Sequence, residues 1–510
     1  MRLPSSIASF VPFFVAAASA VLSVGVIGCS GGTSSSNNGS SSSSGGKADA
    51  GHDSGMLPII ILPPKDAGKD TGVDASLAED AGHDAGMDVQ APPTDAELNT
   101  YPSFAPPAPQ VVNEGMGPVI AHPIFVPVIF AGDPYEAGLI SFLTALGPSM
   151  YWNAAVSEYG VGAGEMGTPI ILNETMPASM TDGQIQTWLA NRIGTDPRFG
   201  ALPGTSVFDG GSFDAGGVDA TAPLSDAASP LAKPPAGVIY TVYVPQGTTV
   251  TLPGEGASCK TFGGYHSSFT YSRNGNDVVY AVLPRCGNFD GFKQLNALTG
   301  PTSHELAEAS TDPYPGTNAA YDRPDLNHFF WEVIVGGGEV GDLCAALPGA
   351  FYNPTEASLA PYIVQRIWSN KAAAAGNDPC QPTLSAAEEP YYFNSVPNLQ
   401  QITGDDMGFN FATLGLSTPV GQPTNLELDL FSNKPTGGQV WQVQIFDAYA
   451  YLYGYTADLT FSPAMAYGTN GDKLNFTVTN ADNDGNTDHI FVVVSTLGAS
   501  QNYWFGVASN

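Results

Sequence analysis

The residues best suited to chemistry lie in Thr302-Ser303-His304-Glu305-Leu306-Ala307-Glu308-Ala309-Ser310-Thr311-Asp312-Pro313, which contains H-E-x-x-E. On a helix His304 and Glu308 stand one turn apart on one face, so an imidazole nitrogen and a carboxylate oxygen can share a cation. Glu305 then lies beside that cation, placed to take a proton from water that the metal has acidified. A second acidic motif follows in Gly338-Glu339-Val340-Gly341-Asp342-Leu343-Cys344. His266 is a further candidate ligand, and Tyr321 and His328, between the two motifs, are candidates to stabilise an oxyanion. A plainer account uses the same residues. Thr302-x-x-Glu305 is a capping box, His304 and Glu308 an ordinary helical pair, Asp312-Pro313 a helix stop, and His266 a hydrogen-bonded residue at a strand end.

The helix segment resembles that of zincin metallopeptidases with the second histidine replaced by glutamate. The downstream segment resembles the one in thermolysin-like and neprilysin-like enzymes that supplies a third zinc ligand and a carboxylate orienting the first histidine. The resemblance implies His304, Glu308 and Glu339 as ligands of a divalent metal, zinc, with Glu305 as the base and Asp342 behind His304. The sequence departs from that pattern in its Glu-to-Asp spacing, three residues instead of four, and in the charge of Glu308. A His-Glu-Glu set cancels the charge of a divalent cation, which makes bound water less acidic and favours harder metals. The block 120–380 is also similar to secreted bacterial proteins carrying S-H-E-x-x-E-x-x-T-D-P followed by G-E-x-x-D-x-C, and distantly to plant phosphate-induced (exordium-like) proteins. The matching pieces are Ser157–Gly162, Gly264-Tyr265-His266, Ser303–Pro313, Glu339–Cys344 and Trp368-Ser369-Asn370.

The elements that must position these residues read as α+β. Pro123–Phe130 is an apolar run suited to a buried strand, and Asp133-Pro134-Tyr135-Glu136 opens a helix to Leu146. Helices over Ser149–Tyr159 and from Thr181, whose capping-box partner is Gln184, precede strands at Val238–Val244, Thr249–Leu252, Phe269–Ser272 and Val278–Leu283. After residue 386 alternating and β-branched runs predict an antiparallel β-sandwich as an accessory binding module, with strands at Asn425–Phe431, Gln439–Phe446, Leu474–Thr479 and Ile490–Ser495. Asp482–Asp488 alternates oxygen side chains as calcium loops do, but its glycine is misplaced and no bidentate glutamate follows, so a polar hairpin is expected there.

Residues 1–28 read as a lipoprotein signal ending at Val26-Ile27-Gly28-Cys29, with Cys29 the lipidated residue and the cell envelope, specifically the outer membrane, the expected location. Residues 29–110 are low in complexity, with Asp-Ala-Gly repeats that include His83, and read as a disordered tether; 206–237 reads as a disordered insertion. The expected domains are therefore a mixed, zincin-like one over 111–385 and the sandwich over 386–510.

Four cysteines remain in what is expected to be an exported chain. Of three connectivities the nearest-neighbour one is favoured, Cys259–Cys286 with Cys344–Cys380. A thiolate zinc site is the alternative, but no C-x2-C spacing supports it.

Across 510 residues, 48 acidic side chains face 16 basic ones, a formal net charge of −32. Such a chain lacks the cationic clusters that nucleic-acid binding needs. No G-x-S-x-G elbow, P-loop or dinucleotide fingerprint occurs, so serine-hydrolase and nucleotide-dependent roles have no support. Two functions remain in competition. One is a surface lipoprotein that hydrolyses peptides with a divalent metal; the other is a non-catalytic envelope or adhesion protein that binds glycan or protein through the sandwich.

Overall fold

The computed structural model describes residues 100–200 and 237–510, apart from 254–255, 272–274, 290, 384–390, 407–408 and 482–484. Cys29, residues 1–99, most of the 206–237 insertion and the start of the calcium-like loop lie outside the described residues. No described helix is long and apolar enough to cross a membrane.

The first half is built on a mixed sheet. Its strands in chain order are β1 (Ile124–Phe130), β2 (Glu165–Met166), β3 (Ile170–Leu172), β4 (Val238–Val244), β5 (Tyr265–Tyr271) and β6 (Asn276–Pro284). The spatial order is β2-β1-β4-β6-β5, with β3 also pairing β1. β1, β4 and β6 run parallel, and β5 closes one edge antiparallel to β6. β1 has apolar side chains on both faces, as a strand covered on both sides must. Phe125 and Ile129 enter one core, while Val126, Val128 and Phe130 enter the other.

Helices α1 (Glu136–Leu146) and α2 (Met150–Val156) cover the first face, and α3 (Asp182–Thr195) covers the second. Thr181 and Gln184 close the capping box on α3 from both sides. The opening of α1 lies slightly downstream of its sequence signal: Asp133 accepts from the Tyr135 amide in a turn, and the helix begins at Glu136.

Helix α4 (Asn296–Thr311) also lies on the first face, with nearly every residue from Ala297 to Thr311 buried. It starts six residues before Thr302 and runs through Pro301. Thr302 is therefore mid-helix, its hydroxyl directed to the Tyr243 hydroxyl, and the capping-box account of Thr302 and Glu305 is overturned. Burial of Ala297 and Leu298 in the core outweighs the helix-weakening Gly300 and Pro301. Beyond it come α5 (Phe329–Val335), α6 (Asp342–Ala345), and short strands β7 (Val364–Gln365) and β8 (Ile367–Trp368). Both disulfides follow the nearest-neighbour connectivity, and Cys344–Cys380 ties α6 to the end of the domain.

The second half is a sandwich of a four-stranded and a six-stranded sheet. All but one of its strand pairs are antiparallel; Phe409–Ser417 and Ser500–Ser509 pair parallel through Leu416 and Ala508. Strands Lys473–Asn480 and Asp488–Leu497, expected to flank a polar hairpin, belong to different sheets and do not pair with each other. The two halves share one continuous core. Trp331 of α5 packs edge-on against Trp504 and Phe505 and donates its indole N–H to the Phe505 carbonyl.

Residues 100–110, expected to belong to the tether, pack as a strap over both halves. Phe104 meets Phe431 edge-on at 5.6 Å, Ser103 bonds Leu430 and Asn470, and the Val111 amide bonds Asn370.

Candidate metal centre

Helix α4 turns His304, Glu305 and Glu308 toward the edge strand β5 and the loop leading into α6. None of these three side chains is more than a few per cent exposed. His304 Nε2 lies 2.9 Å from Glu308 Oε2 and 3.5 Å from Asp342 Oδ1. His266 arrives from β5, where it pairs with Ala281 of β6. Its Nδ1 is 3.5 Å from Glu305 Oε2 and 3.8 Å from Glu308 Oε2, and its Nε2 is 3.6 Å from Glu339 Oε1. Two triads result, His266-Glu305-Glu308 and His304-Glu308-Asp342, each with its donor atoms within 4.8 Å of one another. Glu339 belongs to neither but is in hydrogen-bonding contact with Glu308.

Both rings are held in a defined tautomer. The Gln365 amide nitrogen donates to the Gly341 carbonyl at 2.6 Å, which turns its Oε1 toward His304 Nδ1 at 2.9 Å. An amide oxygen can only accept, so Nδ1 keeps the proton of the neutral ring; the imidazolium donates from Nε2 to Glu308, and loss of that proton frees the Nε2 lone pair for a cation. His266 Nε2 donates to the main-chain oxygen of Asp312 at 3.1 Å, so Nδ1, facing Glu305 and Glu308, is the nitrogen that deprotonation makes available to a cation. The resemblance implied Asp342 behind His304. In the structure Gln365 takes that place and Asp342 lies on the ligand side of the ring.

Glu308 is fixed by two backbone donors. The amides of Gly341 and Asp342 bond its Oε1 at 3.0 and 3.2 Å, which directs Oε2 between the histidines. Gly341 is tightly enclosed, since a Cβ there would come within 2.7 Å of both Glu308 Oε1 and His304 Nδ1. A Cβ on Gly264 would likewise meet Glu305 Oε1 at 2.8 Å. Other pieces of the resemblance also meet in space. Glu158 accepts from Ser369 and from the Asn370 amide at 2.6 Å, and the Tyr159 hydroxyl donates to the Trp368 carbonyl.

The electrostatics are those of a buried acidic cluster. Burial opposes charge on His304, yet Glu308, Glu305 and Asp342 hold its imidazolium well above the usual histidine value. His266 is raised in the same way, against burial, by Glu305 and Glu308. Burial and the neighbouring Glu308, Asp312 and Asp342 push Glu339 well above the carboxylate range. Burial and Glu308 push Asp342 up to about 7, with His304 opposing. Burial works to raise Glu308, but His304 and His266 draw it below its usual value.

Of the two residues considered for an oxyanion role, His328 is occupied elsewhere and the Tyr321 ring packs on another tyrosine. His328 has Nδ1 on Asp325 and Nε2 on the Pro107 carbonyl, and so pins the strap. Tyr321 packs edge-on against Tyr159 at 4.8 Å. Gln365 was missed from the sequence because an isolated glutamine carries no spacing signal.

The donor set fits a divalent cation. Imidazole nitrogens and carboxylate oxygens suit zinc and its first-row neighbours, and each ring has the outer partner that metal-bound histidines require. Together the fold and the site define a class: an α+β protein with a buried two-histidine, multi-carboxylate centre on a helix over a mixed sheet.

No protein-family model and no curated protein matches the chain. Solved structures similar to parts of it include the periplasmic chaperone SfaE, at 8% identity and a TM-score of 0.14, over 19% of this chain and 53% of that one. Another is a conjugative transposon lipoprotein from Bacteroides eggerthii DSM 20697, at 13% identity and a TM-score of 0.16, over 24% of this chain and 98% of that one. The chain spans about half the length of the chaperone.

Proposed function

We propose that the chain is a divalent-cation-dependent hydrolase of amide bonds, zincin-like in its first domain and held at the cell envelope through Cys29. The observation that carries this reading is the pair of imidazoles, each with one nitrogen locked on a carbonyl acceptor and the other directed at the shared Glu308 Oε2. A divalent cation supplies electrophilic polarisation of a carbonyl and acidification of water. With one cation at the His304 side, Glu305 is the neighbouring carboxylate free to accept a proton. Glu339 stands beyond it, against His266 and Glu308. Strand β5 ends the sheet next to Glu305, and a strand edge accepts an extended peptide through main-chain hydrogen bonds. A peptide is therefore the substrate class that fits. The lipoprotein pattern at Val26–Cys29 supports the envelope location.

One observation favours a second reading, in which the cation is structural or absent and the protein is a non-catalytic envelope or adhesion component binding glycan or protein. His304, Glu305, Glu308 and Glu339 are each 7% exposed or less. Metal analysis of protein purified without chelator, run beside hydrolysis of a mixed peptide library, separates the readings. Stoichiometric divalent metal with peptide cleavage that Glu308→Ala abolishes supports the hydrolase. Metal without cleavage selects the structural role, and absence of stoichiometric metal overturns the hydrolase and leaves the non-catalytic protein without a metal.

A further inference from the structure

Fully ionised, the carboxylates of the centre carry more negative charge than one cation neutralises. Glu305, Glu308, Glu339 and Asp342 converge within a buried space, and their carboxylates face two imidazoles whose outward nitrogens are already committed to carbonyl acceptors. One divalent cation offsets half of four carboxylates, and two offset all of them. Burying the remainder uncompensated is strongly unfavourable.

The geometry divides the donors into two sets. Glu308 Oε2 belongs to both, 3.8 Å from His266 Nδ1 and 2.9 Å from His304 Nε2, while the histidines fall in separate triads. Donor pairs 3.5 and 3.8 Å apart subtend roughly tetrahedral to trigonal angles at an ion about 2.1 Å from each. An independent observation points the same way. Asp312 is fully buried, its Oδ1 accepts from the Ala320 amide, its Oδ2 has no hydrogen-bond donor among the described residues, and its carboxylate acts on both His266 and Glu339.

We infer that the centre is dinuclear, with one divalent cation held by His304, Glu308 and Asp342 and a second by His266, Glu305 and Glu308, the two bridged by Glu308 Oε2. This deepens the proposed hydrolase and rests on its cation centre. It reassigns Glu305 from free base to ligand through Oε2, and it explains why β5 brings a histidine to the far side of Glu308. In the metal-free chain, protons on the histidines and on Glu339 and Asp342 supply the compensating charge.

The test is a Zn²⁺ titration of the full-length chain stripped with EDTA, with bound metal counted by mass spectrometry, followed by Mn²⁺ loading and electron paramagnetic resonance. Two tight equivalents per chain are expected, with Mn²⁺ signals broadened by coupling between ions about 4 Å apart. His266→Ala and the nearly isosteric Glu305→Gln should each lose one equivalent and restore the spectrum of an isolated ion. Glu305→Gln keeps the proposal testable should His266→Ala fail to fold. One equivalent in the wild type, lost in His304→Ala, overturns the dinuclear centre and leaves the one-cation hydrolase standing; no tight equivalent overturns both. Two equivalents that persist in both variants place the second ion elsewhere and also overturn the inference.

Discussion

Gln365→Met tests whether the glutamine behind His304 creates the ligand. Gln365 is fully buried and its backbone amide bonds Ser303 Oγ at 2.9 Å, a contact the substitution keeps. Methionine approximates its length and volume, so the packing change is small. Two bonds are lost, the 2.9 Å one to His304 Nδ1 and the 2.6 Å one to the Gly341 carbonyl; the carbonyl keeps the Cys344 and Ala345 amides as donors, while His304 Nδ1 loses its acceptor. The unsatisfied Nδ1–H costs about 1–3 kcal/mol and the lost Gly341 bond about 0.5–1.5, so unfolding free energy should fall by about 2–4 kcal/mol. The freed ring can rotate and change tautomer, which should weaken cation binding by roughly 10- to 100-fold. Urea unfolding reads the first quantity, and competition against a zinc-chelating dye reads the second. Gln365→Glu separates positioning from filling: it restores an acceptor for His304 Nδ1–H without the donor to Gly341, so affinity should recover much further than stability. A Met variant that binds zinc within about twofold of wild type would refute the orienting role.

The other expectations can be checked by similar means. Without metal the centre is stable when protonated: the folded-state values of Glu339, Asp342, His304 and His266 are all raised. Their contribution is therefore present at acid pH and lost as pH climbs through about 7, the value for Asp342. Melting in EDTA should fall between pH 5 and 8, and saturating Zn²⁺ should cancel the fall; a flat EDTA profile counts against the buried cluster. Replacing Cys344 and Cys380 by serine opens a bridge of sequence separation 36 and should remove about 4 kcal/mol of stability while also weakening zinc binding, because α6 carries Asp342. Phe104→Ala should lower stability by about 1–3 kcal/mol through the lost packing on Phe431, with zinc affinity unchanged. No change on calorimetry would place residues 100–110 back in the tether.

What the sequence determined was local. The His304 and Glu308 spacing, the Thr181 capping box and the apolar runs of β1, β4 and β6 depend on residues a turn or a strand apart, so period and propensity suffice to read them. With only four cysteines left to pair, the disulfides were legible as well. The start of α4 was not, because burial over 297–301 outweighs the Gly300 and Pro301 signals. Nor was the membership of the centre. His266 reaches it through the register of β5 on β6, Gln365 through β7, and the Glu308 clamp through the amides of Gly341 and Asp342. Each of these is a contact between residues distant in sequence, fixed by strand pairing and core packing. The physical reason is that a cluster of buried carboxylates can be compensated only by groups the tertiary fold delivers, and no spacing along the chain encodes which groups those are.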